Sequence, residues 1–219
     1  MARSLVALTA ILAVASCIAS SEAAATAPQT VAFLHNVTTQ TQQLQPTADS
    51  ITLQTGVLLV IGQGPYRDII VGLTNIIQTE TDFLLSNKTE KPSSDSCPAS
   101  LPYAAKAPGT GTLPAADQTS IYNAFRDFVR VQQTLLNTLI NRAALFKTAP
   151  FIGEPMVTVL TQSQNSFDRL AFSLIDLCPT KATDLRVLAG GLSGTYKSAI
   201  ENYAGLSLGG NRKLLNVAA

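Results

Sequence analysis

The chain has 219 residues, of which 46% are hydrophobic and only 13% charged, with 15 basic against 14 acidic side chains. Ordinary globular chains carry about 25% charged residues, so this balance excludes charge-driven disorder and a basic nucleic-acid surface, which needs clustered Lys and Arg. Aromatics at 6% with no Trp argue against base-stacking or carbohydrate platforms, and the length fits one domain with a sizeable core.

At the N-terminus, Arg3 precedes an apolar run from Leu5 to Ile18 and then the small residues Ala19, Ser20, Ser21 and Ala23. That order describes a secretory signal peptide over residues 1–23, cleaved after Ala19 or Ala23. The run is too short to span a membrane. A competing reading is bacterial: Val14-Ala15-Ser16-Cys17 resembles a lipobox with Cys17 as the lipidated residue.

The mature part, residues 28–206, reads as one helical domain. Val31, Leu34, Thr38, Thr41, Leu44, Ala48, Ile51, Thr55 and Leu58 recur at steps of three and four. Pro46 interrupts that stripe and predicts a kink or a short break. Gly62 and Gly64 stop the helix, and Pro65 opens the next. The second helix uses Ile69, Ile70, Leu73, Ile76, Ile77, Phe83 and Leu84 and fades near Lys88. Residues 91–114 are rich in Pro, Ser, Gly and Ala without periodicity, which predicts a long loop.

A third helix is expected over 115–146, on Ile121, Phe125, Phe128, Gln132, Leu135, Leu139, Ala143 and Phe146. Pro150 and Pro155 introduce a fourth, with Val157, Leu160, Phe167, Leu170, Leu174 and Ile175, ending at Cys178-Pro179. The fifth carries Leu185, Leu188, Leu192, Tyr196, Ile200 and Tyr203 and stops at Gly205; Gly190-Gly191 either weaken its middle or admit a close neighbour. No strand alternation of useful length appears. The expected fold is an all-α, up-and-down bundle of about five antiparallel helices, followed by a flexible tail over 207–219.

Without the leader, two cysteines remain, Cys97 and Cys178. In an oxidising compartment a lone pair reads as a disulfide. It would close a loop of roughly 80 residues and add about 4.5 kcal/mol on a chain-entropy basis. Two unpaired buried thiols are the alternative. Asn36-Val37-Thr38 and Asn87-Lys88-Thr89 are glycosylation sequons. The tail is too short for a spacer and hydrophobic signal, so no glycolipid anchor is expected, and no second apolar segment spans a membrane.

Catalytic chemistry is hard to assemble. His35 is the sole histidine, so any Ser/His or Cys/His arrangement would have to use it, and a solvated surface position explains it better. A zinc site lacks its ligands. Glu80 and Asp82 do not share a helix face; they, Asp168 and Asp176 read as solvated. Gly62-Gln63-Gly64 and Gly109-Thr110-Gly111 lack the context of a phosphate loop, and Ser193 lacks the spacing of a nucleophile elbow. No enzyme, metal or cofactor is therefore expected. What remains is the apolar stripe, as core or as the lining of a lipid site. The candidate lining residues are Leu73, Ile77, Phe125, Phe128, Leu135, Leu139, Phe167, Leu170 and Leu174.

The ordering of these elements resembles the fungal hydrophobic surface-binding protein A and cell wall galactomannoprotein family. The resemblance is carried by the Thr/Gln-rich first helix, Gly64-Pro65-Tyr66-Arg67-Asp68-Ile69-Ile70 with Gly72-Leu73, and Ile121-Tyr122-Asn123-Ala124-Phe125 with Val131-Gln132-Gln133-Thr134-Leu135-Leu136. Phe146 followed by Pro150-Phe151-Ile152, and the closing Ala199-Ile200-Glu201-Asn202-Tyr203, add to it. It covers residues 28–206. It implies a secreted or wall-associated, non-enzymatic protein that binds hydrophobic surfaces or fatty-acid-like lipids, with a secreted hydrolase as a further partner. The cysteine pair, the long loop and the lack of a Ser/Thr-rich anchored tail depart from the family pattern and favour a soluble secreted form. Two other classes compete. One is a structural wall protein or host-interacting effector without a small ligand. The other is an inhibitor of the invertase and pectin-methylesterase type, which lacks support because no cysteine lies between Cys17 and Cys97.

Overall fold

A computed structural model describes residues 26–56, 58, 63–86, 113–146 and 153–206. The expected leader with Cys17, the sequon at Asn87, Cys97, most of the loop and the tail lie outside the described residues. Five long helices and one short one make up the described part: α1 (Ala27–Asp49), α2 (Leu53–Gly56), α3 (Pro65–Ser86), α4 (Ala115–Ala143), α5 (Gly153–Leu177) and α6 (Ala182–Ala204). Single 3-10 turns follow α4 at Ala144–Phe146 and precede α6 at Pro179–Lys181.

Local chemistry sets the ends. Gln29 Oε1 accepts the Thr26 backbone N–H at 2.9 Å and opens α1, a capping-box contact. Along α1 the buried hydroxyls of Thr38 and Thr41 donate to the carbonyls of Leu34 and Val37, at 2.6 and 2.9 Å. A threonine-rich stripe can thus face the core with its polar atoms satisfied. Pro46 stays within α1, and the chain leaves the helix just beyond it, at Ser50. Thr52 and Thr55 then cap each other, N–H to hydroxyl in both directions, to start α2. Gly64 has φ +88° and lies against the Thr55 carbonyl, a backbone state that favours glycine. Pro155 falls in the first turn of α5, where its missing N–H costs no helical bond.

Side-chain pairs fix the directions. Thr41 and Gln45 of α1 bond Gln132 and Thr138 of α4, at 3.0 and 2.8 Å, and Arg142 donates to the Asp49 carbonyl at 2.8 Å, so α1 and α4 run parallel. Gln132 bonds Tyr196 at 2.8 Å and Tyr203 bonds the Leu139 carbonyl at 2.9 Å, so α4 and α6 are parallel too. The pairs Ser163–Tyr196 and Asp168–Ser193 make α5 antiparallel to α6. Phe33 stacks on Phe83 with centroids 3.9 Å apart, and Gln40 reaches Thr79, so α1 and α3 are antiparallel. The five long helices therefore alternate in direction along the chain, as the sequence predicts. In space they form a closed ring in the order α1, α4, α6, α5, α3, and three of its five contacts join parallel helices rather than the antiparallel neighbours expected.

The ring interior is filled. Phe125, Phe128, Phe167 and Tyr196 meet at centroid distances of 5.9 to 6.4 Å, with the Phe125 and Phe167 rings parallel and offset. Below this cluster, Gln118 ties the start of α4 to Thr180, accepting from its N–H and its hydroxyl at 3.0 and 2.6 Å. At the other end the Tyr66 and Tyr203 rings meet edge to face at 6.2 Å. Gly72 sits where α3 crosses α1, and a Cβ there would run into Leu44. Gly190 faces open space and Gly191 makes only an ordinary contact with Gln133, 3.6 Å away. The close-packing reading of that pair does not hold, and α6 runs through it unbroken.

Candidate ligand-binding site

A concavity lies on the outer side of the ring, between the C-terminal half of α3 and the middle of α5. Ile77, Thr81, Leu84 and Leu85 line one wall and Gln162, Asn165, Ser166 and Arg169 the other, around about 590 Å³. Both sets repeat at helical steps of three, four and seven, so each is one face of its helix. The volume falls in the usual range for small-molecule sites, about 300–1,000 Å³.

One wall hides a carboxyl. Glu80 projects from α3 beside Ile77, Thr81 and Leu84, yet it is only 2% exposed. Desolvation pushes it up from 4.5 to about 7, and Ser166 alongside moderates the rise. The two groups lie side by side, but neither Oε2 of Glu80 nor Oγ of Ser166 meets a partner at full hydrogen-bonding geometry. The sequence reading of Glu80 as a solvated residue is thus overturned, whereas Asp82 and Asp176 are exposed as expected. Asp168 is half-buried and accepts a bond from the Ser193 hydroxyl at 2.8 Å.

A polar chain through the centre of the core is satisfied. Thr41 donates to Gln132 Oε1, Gln132 Nε2 donates to the Tyr196 hydroxyl, and that hydroxyl shares a 2.7 Å bond with Ser163. Desolvation holds the Tyr196 phenol far above its usual value, with the nearby Glu80 charge adding to the effect.

Of the nine residues nominated from sequence, Ile77 lines the groove. Leu73, Phe125, Phe128, Leu135, Leu139, Phe167, Leu170 and Leu174 are buried in the core, each at most 1% exposed. Glu80, Ser166 and Arg169 escaped the sequence reading. A signal existed: Leu73, Ile76, Glu80 and Phe83 step by three, four and three, so Glu80 occupies an apolar position of its own stripe.

Elsewhere, His35 and Asn36 stand exposed on α1. Cys178 is fully buried at the end of α5, and its desolvated thiol is pushed up to about 11. Among the described residues no cluster of three His, Cys, Asp or Glu side chains is placed to hold a metal. Among them, too, no helix is long and apolar enough to cross a membrane.

Fold and groove together define a class: a closed ring of helices with a lateral pocket. No protein-family model and no curated protein matches the chain. Two solved structures share its fold. One is Afmp4p in complex with palmitic acid, at TM-score 0.56 and 16% identity, covering 81% of this chain and 99% of that one. The other is ligand-binding domain 2 of the Penicillium marneffei MP1 protein in complex with arachidonic acids, at TM-score 0.58 and 15% identity, covering 83% and 94%. Both bear out the all-helical architecture that the resemblance implied.

Proposed function

We propose that the chain is a secreted, non-enzymatic binding protein for apolar molecules of the fatty-acid type, and that the groove between α3 and α5 is its site. The observation that carries this reading is the groove itself, whose α3 wall presents Ile77, Leu84 and Leu85 with Thr81 and whose α5 wall is polar. Two proteins of the same fold hold palmitic and arachidonic acid, which supports a long-chain ligand here. Burying such a chain supplies affinity at roughly 25 cal/mol per Å² of apolar surface.

The leader over 1–23, glycans on Asn36 and Asn87, and a Cys97–Cys178 disulfide complete the proposal for an extracellular or wall-associated protein. The Pro179–Lys181 turn next to Cys178 is bound to the start of α4 through Gln118 and Thr180, which supports a disulfide into the loop that precedes α4. A second reading, adsorption to hydrophobic surfaces, draws on exposed Leu85, Phe172 and Val187; these sit on three different helices, so the groove is favoured. The test uses purified, delipidated full-length secreted protein with the fluorescent cis-parinaric acid. Saturable binding displaced by palmitic acid is the expected result, and no binding at any pH would sink the proposal.

A further inference from the structure

Among the described residues, two buried side-chain oxygens lack a hydrogen bond: Oε2 of Glu80 and Oγ of Ser166. They come from the two helices that form the groove, and Ser166 lines it directly. Buried polar groups are normally paired, as the satisfied chain from Thr41 to Ser163 shows in this same interior. Two unmet oxygens buried behind one groove, at its Ser166 wall, mark where a ligand atom belongs. A protonated carboxyl donates, a hydroxyl does either, and Arg169 on the α5 wall adds a cation. Ile77, Leu84 and Leu85 face an apolar chain.

We infer that this groove holds the carboxylate of a long-chain acid against protonated Glu80, Ser166 and Arg169, so that the ligand is retained at acidic pH and released above neutrality. The inference rests on the binding function proposed above and adds its head-group chemistry and its gate. Two carboxyl groups that face each other in a buried site share one proton, and losing that proton leaves two like charges together.

Among the described residues, nothing else around Glu80 supplies the same switch. The only ionisable side chains of α1 are His35 and Asp49, both exposed, and α2 has none. On α3, Asp82 is exposed. From α5 come Arg169 at the groove and Asp168, already bonded to Ser193. From α6 comes Tyr196, whose buried phenol stays neutral throughout. Burial, which lifts Glu80 to about 7, places its ionisation in the window where the switch acts.

The experiment measures Kd for cis-parinaric acid, and by its displacement for palmitic acid and hexadecanol, on delipidated full-length protein at pH 5.5 and 8.5. Wild type should lose at least tenfold affinity for the acids at the higher pH while hexadecanol binding stays level. Glu80→Gln, which keeps a neutral donor, should bind the acids with nearly equal affinity at both pH values. Ser166→Ala should weaken acid binding several-fold and keep the pH dependence, a check that does not depend on the Glu80 variant folding. Acid binding that is level with pH in wild type, or that falls equally in Glu80→Gln, overturns the gate while leaving the binding function standing. Failure of both acid and alcohol to bind at either pH removes the binding function and the gate with it.

Discussion

The buried carboxyl makes the empty protein sensitive to pH. Glu80 titrates near its ordinary 4.5 in the unfolded chain and at about 7 in the fold. Between those values the folded state holds the proton more tightly, so stability is highest below about 4.5 and falls as pH rises through 7. The separation of roughly 2.5 pH units, at 1.36 kcal/mol each, corresponds to about 3 kcal/mol. That is a large share of a stability that is typically about 5–15 kcal/mol. Glu80→Gln keeps the shape and cannot ionise, so it should remove this contribution. The assay is urea unfolding of delipidated wild type and Glu80→Gln at pH 4 and pH 8.5. Relative to wild type, the variant should gain about 3 kcal/mol between the two pH values. Parallel changes in both proteins would refute the assignment of the pH-dependent loss to Glu80.

Other substitutions test the packing. Tyr196→Phe strands Gln132 Nε2 and Ser163 Oγ, which bond the phenol at 2.8 and 2.7 Å; urea unfolding should show a loss of about 2–3 kcal/mol. Gly72→Ala drives a methyl into Leu44 at the α1/α3 crossing and should destabilise by about 1–3 kcal/mol. Gly190→Ala and Gly194→Ala meet open space within α6, so each should stabilise by about 0.5–1 kcal/mol in thermal unfolding. Non-reducing peptide mapping should recover Cys97 linked to Cys178; free thiols at both would remove the disulfide from the proposal.

The helices were legible because their signals are local. Pro65 and Pro155 fall in the first turns of helices, Gly205 closes one, and the stripe from Ile121 to Leu139 turned inward as its spacing requires, whereas the first helix ends at Asp49 rather than at Gly62 and Gly64. Even Gln132, polar on that stripe, was placed correctly, since its partners Thr41 and Tyr196 lie on stripes of their own. The neighbour order was not legible, because periodicity says which face is buried and not what covers it. The groove escaped for a related reason. Glu80 was judged by its charge beside Asp82, when its step from Leu73 and Ile76 put it on the inner face. Ser166 shows no sequence signal beyond its place next to Phe167. Its meaning comes from α3 lying alongside, a fact of tertiary structure alone.

The ring order also bears on how the chain reaches this state. Of the described helices α6 is made last, yet its place is between α4 and α5, so the ring cannot close until synthesis has passed it. Tyr66 and Tyr203 come together across 137 positions, and Thr41 and Gln132 across 91. Three of the five ring interfaces join helices that are not consecutive long helices of the chain, so loop closure over long separations precedes them. Until α6 docks, the aromatic cluster around Phe125 and Phe167 lacks Tyr196 and stands open along one side. This helix acts as a keystone, and a nascent chain waiting for it is the state most in need of protection from aggregation.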